Sequence, residues 1–303
     1  MRQDSRAHRW SAILAGGDGR RLLPLTRALS GDDRPKQFCE VLGNGTLLQQ
    51  TRNRVVPVVG EQHTLLVVTR THQRFYAGMV DEVPPECLVI QPQNRGTGPA
   101  ILYSALRVQA LDSMGVVAFF PADHYFANAE ALAAHIDGAF AVAERQPDLV
   151  VLLGIVPESP EVSYGWIEPG VPLPLRAADS VYRVSRFWEK PDADLASSLM
   201  RRGCLWNSFV MVGQIGAFLN LVGRAIPSLL SSFNSVRSAL MTPEEPGSMS
   251  ELYCDLPTCN FSGEVLSVCP DNLAVLRGPD LGWCDLGEPG RVLAVLQRRD
   301  ELH

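Results

Sequence analysis

The chain has 303 residues, 46% of them hydrophobic and 20% charged, with a formal net charge of −6. This balance excludes a disordered chain, and a pI near 5.6 speaks against a nucleic-acid partner, which calls for a clustered basic field. No apolar run approaches the roughly 20 residues needed to cross a bilayer, so no membrane partner is expected.

The length admits a substantial core, built as one large α/β domain or as one domain with a C-terminal appendage. The first ten residues, with Arg2, Arg6, His8 and Arg9, are polar and lack the apolar stretch of a secretory signal, which predicts a cytoplasmic location. Seven cysteines (Cys39, Cys87, Cys204, Cys254, Cys259, Cys269 and Cys284) form no Cys-x-x-Cys pair. Reduced thiols are therefore expected, and Cys254 and Cys259 have no neighbouring histidine to complete a zinc set.

Ile13, Leu14 and Ala15 read as the end of a buried strand. Gly16, Gly17 and Gly19 follow and let the backbone turn sharply and approach phosphate without a Cβ in the way. Arg20 and Arg21 add guanidinium forks for phosphate oxygens, and Lys36, beside Pro35, offers a second cation. On its own Gly-Gly-Asp-Gly is equally compatible with a plain turn. It is neither a Walker loop, which ends in Gly-Lys-Ser/Thr, nor a dinucleotide fingerprint, which places a glycine where Leu22 stands.

Downstream, Leu65–Thr69, Cys87–Ile90, Gly115–Phe120 and Leu149–Leu153 read as short buried strands. They alternate with helical patterns over Leu47–Val55, Thr71–Val80, Gly98–Leu111 and Asn128–Arg145, the last capped by Asn128. Such alternation predicts parallel strands joined by helical crossovers, with ligands at the carboxyl ends of the strands. Pro157–Pro174 is rich in proline and predicts loops and hairpin edges. Val181–Trp188 and Cys204–Val212 read as strands, Asp192 or Asp194 as a helix cap, Ile215–Leu240 as a helical region, and residues 242–250 as a flexible connection.

Several carboxylates and amides fall at strand ends. Asp123 follows the strand ending at Phe120, where a ligand-facing residue or a simple turn aspartate would sit. Asp285 lies in Gly282-Trp283-Cys284-Asp285-Leu286-Gly287. Gln91-Pro92-Gln93-Asn94-Arg95-Gly96-Thr97 joins a strand to a helix. Glu189-Lys190, taken alone, reads as an exposed charge pair.

The glycine loop with Arg21-Leu22, Pro24-Leu25-Thr26 and Pro35-Lys36-Gln37 resembles the signature of the sugar-1-phosphate nucleotidyltransferases. The form Arg34-Pro35-Lys36-Gln37-Phe38 is most similar to the mannose-1-phosphate guanylyltransferases (GDP-mannose pyrophosphorylases). Ser163-Tyr164-Gly165, Trp188-Glu189-Lys190-Pro191, Trp206-Asn207-Ser208 and the Gly-Trp-x-Asp-x-Gly run extend the resemblance in the family's order from residue 11 to 287.

The resemblance implies an α/β fold, a doubly wound, mostly parallel sheet flanked by helices, Rossmann-like, with a sugar-binding elaboration in the second half. It implies a single nucleotidyltransferase domain over 1–303, with a nucleotide half at about 10–157 and a sugar-phosphate half at about 158–300. GTP and mannose 1-phosphate are the implied substrates and Mg²⁺ the implied cofactor, held by Asp123 and Asp285. Ala15, Gly16, Gly17, Gly19, Arg20 and Arg21 would hold the triphosphate, Lys36 the α-phosphate region, Gln91 and the Gly96 backbone the base edge, and Thr97 would face phosphate or ribose. Gly165 would approach the sugar, Glu189 and Asn207 would bind its hydroxyls, and Lys190 its phosphate. Arg21, Lys36, Asp123, Lys190 and Asp285 form the implied catalytic set. A different sugar 1-phosphate, or a nucleotide-sugar-binding homologue with weak catalysis, remains an alternative, and a homodimer is admitted.

The chain departs from that pattern in two places. Ser30-Gly31-Asp32-Asp33 lengthens the segment before Lys36. In Phe261–Val268, Glu264 is not followed by a lysine, and none occurs after Lys190, so a phosphate contact there would be lost or handed to an arginine such as Arg277. The end soon after Arg299 predicts no long C-terminal extension or fused isomerase.

Overall fold

The computed structural model describes residues 5–174 and 180–300; Arg2, part of the polar start, lies outside them. In chain order the strands are β1 (Arg9–Leu14), β2 (Thr64–Thr69), β3 (Leu88–Gln91), β4 (Val116–Pro121), β5 (Val150–Ile155), β6 (Gly165–Pro172), β7 (Val181–Glu189), β8 (Leu205–Gln214) and β9 (Leu273–Arg277). Between them run α1 (Leu23–Ser30), α2 (Leu47–Val59), α3 (Gln73–Tyr76), α4 (Thr97–Leu111), α5 (Ala129–Arg145), α6 (Ala193–Arg201), α7 (Ile215–Ala225), α8 (Pro227–Ser235) and α9 (Glu245–Asp255), and α10 (Pro289–Asp300) follows β9. No helix among the described residues is long and apolar enough to cross a membrane.

One continuous sheet has the strand order β3-β2-β1-β4-β8-β5-β9-β7-β6, and β6 also pairs back onto β8. β1, β2, β3 and β4 run parallel, in register Ile13↔Leu66, Ile13↔Phe120 and Thr69↔Gln91. This shared direction brings Gly16, Gln91 and Asp123 to one edge. The expectation of a mostly parallel sheet fails beyond β4. β8 enters antiparallel between β4 and β5, and β7 is antiparallel to both β6 and β9, while β5 and β9 are parallel. A buried apolar run such as Leu205–Val212 reads the same in either direction, so its pattern could not distinguish the two.

α4 is buried from Gly98 through Val108, between the sheet and the α7–α9 layer. Phe119 of β4 meets Phe218 of α7 edge to face at 4.9 Å. A second, smaller cluster joins Leu22, Leu42 and Leu47 to Leu286, Val292 and Val295, and so fastens α10 to the segment after the glycine loop.

The Asn128 and Asp192 caps form, accepting from Ala131 N at 2.9 Å and Leu195 N at 2.8 Å. The helical region from Ile215 breaks at Pro227, whose ring can open a helix but not continue one. Thr71–Val80 resolves into 3₁₀ turns around the single turn of α3. Residues 242–250 are not a flexible connection. They lead into α9, because Glu245 is buried against Tyr103 and Arg107 of α4 (2.5 and 2.7 Å) and also accepts from Met241 N at 2.7 Å.

Candidate active site

The glycine loop leaves the carboxyl end of β1. A Cβ on Gly16 would stand 2.7 Å from both Gln91 Nε2 and Thr69 Oγ1, so only glycine fits between them. Gly19 turns the chain at φ +61°. Gln37, quoted in the motif but assigned no role, locks the loop by donating from Nε2 to Ala15 O (2.9 Å) and Gly17 O (2.7 Å).

Three adjoining cavities open at this edge. The first, about 350 Å³, is lined by Gly16, Gly17, Gln91, Gly96, Thr97 and Asp123, among others. Gln91 is buried, its Oε1 accepting from Tyr253 OH at 3.3 Å. Gly96 has φ +84°, and a Cβ there would lie 2.3 Å from Cys259 O. The Thr97 hydroxyl accepts from Phe261 N at 2.9 Å, which leaves its proton to donate. Gln93 and Arg95 bind the C-terminal carbonyls of α9, at Tyr253 and Cys254.

The second cavity, about 400 Å³, is lined by Gly19, Arg20, Arg21, Lys36, Asp123 and Asp285, among others. Lys36 reaches it despite the insertion before Pro35, whose Asp32 and Asp33 pair with Arg34 and Arg27. Its buried ammonium donates to Asp285 O (2.7 Å) and Leu286 O (3.1 Å) and lies 3.3 Å from Asp123 Oδ2. The exposed Arg20 and Arg21 guanidiniums stand on the solvent side.

The third, about 240 Å³, is lined by Arg21, Gly165, Glu189, Lys190, Asn207 and Asp285, among others. A Cβ on Gly165 would meet Phe187 at 2.8 Å and Glu189 Oε2 at 3.2 Å. Lys190 Nζ is 3.7 Å from Glu189 Oε1, and its side chain is 54% exposed. Asn260, missed in the sequence, donates to Glu189 Oε1 at 3.4 Å. Lys190, Phe209 and Leu286 are non-glycine residues at φ +50°, +63° and +49°. Such backbone costs on the order of 1–3 kcal/mol per residue, and it clusters around this site.

Asp123 belongs to the first two cavities, Asp285 to the last two, and His124 to all three. Burial holds the His124 pKa below its ordinary value, so the ring is neutral. Trp283 Nε1 lies 3.2 Å from His124 Nδ1. The same ring nitrogen lies 3.1 Å from Ser208 O, a carbonyl that can only accept, and Nε2 lies 4.0 Å from Asp123 Oδ1. Burial opposes the charge of Asp285, but Arg291 and the Gly287 amide help to offset it, and its carboxyl stays below the usual range.

A divalent cation fits this pair. Asp285 Oδ1 accepts from Tyr164 OH (3.1 Å), Gly287 N (2.9 Å) and Arg291 Nη1 (2.6 Å), whereas Oδ2 accepts from nothing among the described residues. Among those residues no group of three or more Asp, Glu, His or Cys side chains is gathered for a metal. Two hard carboxylates, completed by water and substrate phosphate, make a donor set suited to Mg²⁺. Arg277 lines none of the three cavities. The late cation that joins the site is Arg291 of α10, six residues after Asp285 and absent from any recognisable motif.

Cations and backbone amides gathered at one sheet edge make a surface suited to anions. Comparison with known proteins agrees: the chain matches the nucleotidyl transferase family over residues 11–298 and belongs to that family. It is 30% identical over 283 residues to a mannose-1-phosphate guanylyltransferase of Klebsiella pneumoniae, a match covering 91% of this chain and 57% of that protein. It is also 30% identical over 298 residues to the xanthan biosynthesis protein XanB of Xanthomonas campestris pv. campestris (strain B100), covering 94% and 59%. A crystal structure described as a mannose-1-phosphate geranyltransferase from Thermus thermophilus superposes with a TM-score of 0.77 at 30% identity, over 92% of this chain and 76% of that one. UDP-glucose pyrophosphorylase in complex with UDP-glucose shares the fold, with a TM-score of 0.60 at 14% identity over 97% and 99%. The chain spans a little over half the length of these curated relatives.

Proposed function

We propose that the protein transfers a guanylyl group from GTP to mannose 1-phosphate, giving GDP-mannose and pyrophosphate. The observation that carries this reading is the run of three joined cavities, one apolar-walled and amide-lined, one cationic, one lined by hydroxyl-binding groups, with Asp123 and Asp285 at their junctions. The names of the similar proteins supply guanine and mannose.

A phosphate oxygen of the sugar 1-phosphate attacks the α-phosphorus, and the bond from that phosphorus to the β-bridging oxygen breaks, so pyrophosphate leaves with the electron pair. The nucleophile is already an anion, so no covalent protein intermediate is required. What the protein supplies is alignment of two anions and stabilisation of charge at the α-phosphorus and on the leaving group. The glycine-loop amides and Arg21 hold the triphosphate, Gln91 faces the base, and Lys36 stands beside Asp123 at the α-phosphate. Lys190 holds the incoming phosphate, while Glu189 and Asn207 bind sugar hydroxyls around Gly165. Mg²⁺ on Asp123 and Asp285, when bound, neutralises phosphate charge.

The test is pyrophosphate release with Mg²⁺ across four nucleoside triphosphates and the 1-phosphates of mannose, glucose, galactose and heptose. Selective turnover of GTP with mannose 1-phosphate supports the proposal. Turnover of another pair replaces the substrates but keeps the mechanism, and silence across the grid refutes both.

A further inference from the structure

Arg291 stands on α10, outside every segment that carries the family resemblance, yet its guanidinium bridges two separate segments that line the site. Nη1 donates to Asp285 Oδ1 at 2.6 Å, and Nη2 donates to Ser163 Oγ at 2.6 Å and lies 2.8 Å from Glu161 Oε2. The guanidinium carbon sits 4.5 Å from the centre of the Tyr164 ring, whose hydroxyl donates to the same Asp285 oxygen at 3.1 Å. Glu161 Oε1 in turn accepts from both the amide and the hydroxyl of Ser163, each at 3.0 Å. The side chain is 16% exposed, so solvent screens these bonds little. Its helix is held independently by Val292 and Val295 in the smaller apolar cluster and by Arg299 donating to Leu42 O at 2.6 Å.

We infer that Arg291 is a positioning residue that couples the carboxylate of Asp285 to the loop 161–165, so that cation affinity and sugar-phosphate affinity depend on one guanidinium. This rests on the reading of Asp285 and Gly165 under Proposed function. Two physical arguments support it. First, Arg291, Tyr164 and Gly287 saturate Oδ1, which leaves Oδ2 as the oxygen offered to a cation; without the guanidinium only the two longer, uncharged bonds hold that orientation. Second, Glu161 and Asp285 are both anionic and share the same guanidinium, so removing it sets two carboxylates against each other and loosens the loop that opens Gly165 toward the sugar. A lysine cannot replace it, because a single ammonium lacks the planar fork that spans both partners.

The experiment measures binding directly, by calorimetry with Mn²⁺ and with mannose 1-phosphate, on the full chain and on Arg291→Lys, Arg291→Met and Ser163→Ala, alongside thermal melts and the KM for GTP. Arg291→Lys is expected to weaken Mn²⁺ about tenfold or more, in the range seen when a group orienting a metal ligand is removed. It should weaken mannose 1-phosphate by a similar factor and leave the KM for GTP within about twofold. Ser163→Ala, which removes the hydroxyl's bonds to Arg291 and Glu161 but leaves Asp285 Oδ1 all its partners, should weaken the sugar phosphate while Mn²⁺ stays within about twofold. Unchanged Mn²⁺ affinity in a folded Arg291→Lys protein, or a loss confined to one of the two ligands, overturns the coupling. A wild-type protein that turns over no substrate pair yet binds Mn²⁺ in an Arg291-dependent way would sink the substrate reading and leave the positioning of Asp285 standing.

Discussion

Asp285 concentrates several demands on one side chain: it is nearly buried, charged, and shared between two cavities. Asp285→Asn keeps its shape and an acceptor for Tyr164, Gly287 and Arg291 but removes the charge. Turnover in the pyrophosphate assay is expected to fall about 10²- to 10³-fold, the scale of losing one transition-state electrostatic partner, with the melting curve preserved. A second expectation concerns the histidines. Burial lowers the pKa of His72, His124 and His135, so below about pH 6.5 the unfolded chain binds protons that the folded one refuses. Stability therefore declines as pH falls through that value. Urea midpoints at pH 7.5, 6 and 5 should decrease in turn, and His135→Gln, on α5 away from the cavities, should flatten part of that slope; a flat profile in the parent protein contradicts the assignment. That Asp123 and Gly96 follow β4 and β3 and so fall at one sheet edge was readable from the strand pattern, whereas Lys36, in a turn between α1 and α2, and Asp285 stood out only through the family resemblance. Arg291 was legible in neither way, since its partners at Glu161 and Ser163 are distant in the chain and nothing in Pro289-Gly290-Arg291 signals them.

Among the elements, α9 shows how a polar stretch can mislead. Thr242-Pro243-Glu244-Glu245-Pro246-Gly247 has the composition of a linker, and only the buried pair of Glu245 with Arg107, 2.7 Å apart with both side chains under a tenth exposed, turns it into structure. The same helix holds Gln93 and Arg95 with its last carbonyls, so it braces the loop that carries Gly96. Glu245→Ala strands the Arg107 guanidinium in the interior and should cost about 3–5 kcal/mol by urea unfolding. Glu245→Gln, which keeps one acceptor oxygen for Tyr103 and Arg107 but loses the one facing Met241 N, should cost clearly less; equal losses would show that the retained acceptor contributes nothing there. The crossover helices and early strands were readable because apolar period and caps agree over each segment. The direction of β8 was not, because strand polarity is decided by neighbours that lie far away in sequence.

At the scale of the whole molecule, β8 sits between β4 and β5, so the centre of the sheet is filled from the second half of the chain. A fragment of residues 1–157 would leave the inner edges of β4 and β5 unpaired and apolar, which invites association. It is expected to aggregate or melt without cooperativity in gel filtration and circular dichroism, whereas a sharp-melting monomer would show that the nucleotide half folds alone. The basic residues follow an equally uneven distribution. Lys36 and Lys190 are the only lysines in the sequence, one buried against Asp123 and the other half exposed beside Glu189. Every other side-chain cation is a guanidinium or an imidazole. Apart from the chain's α-amine, acylating reagents therefore find primary amines only within the candidate site. Mass spectrometry after brief acylation should show Lys190 modified and Lys36 spared, with sugar phosphate protecting Lys190, which makes the protein a natural single-site reporter of its own occupancy.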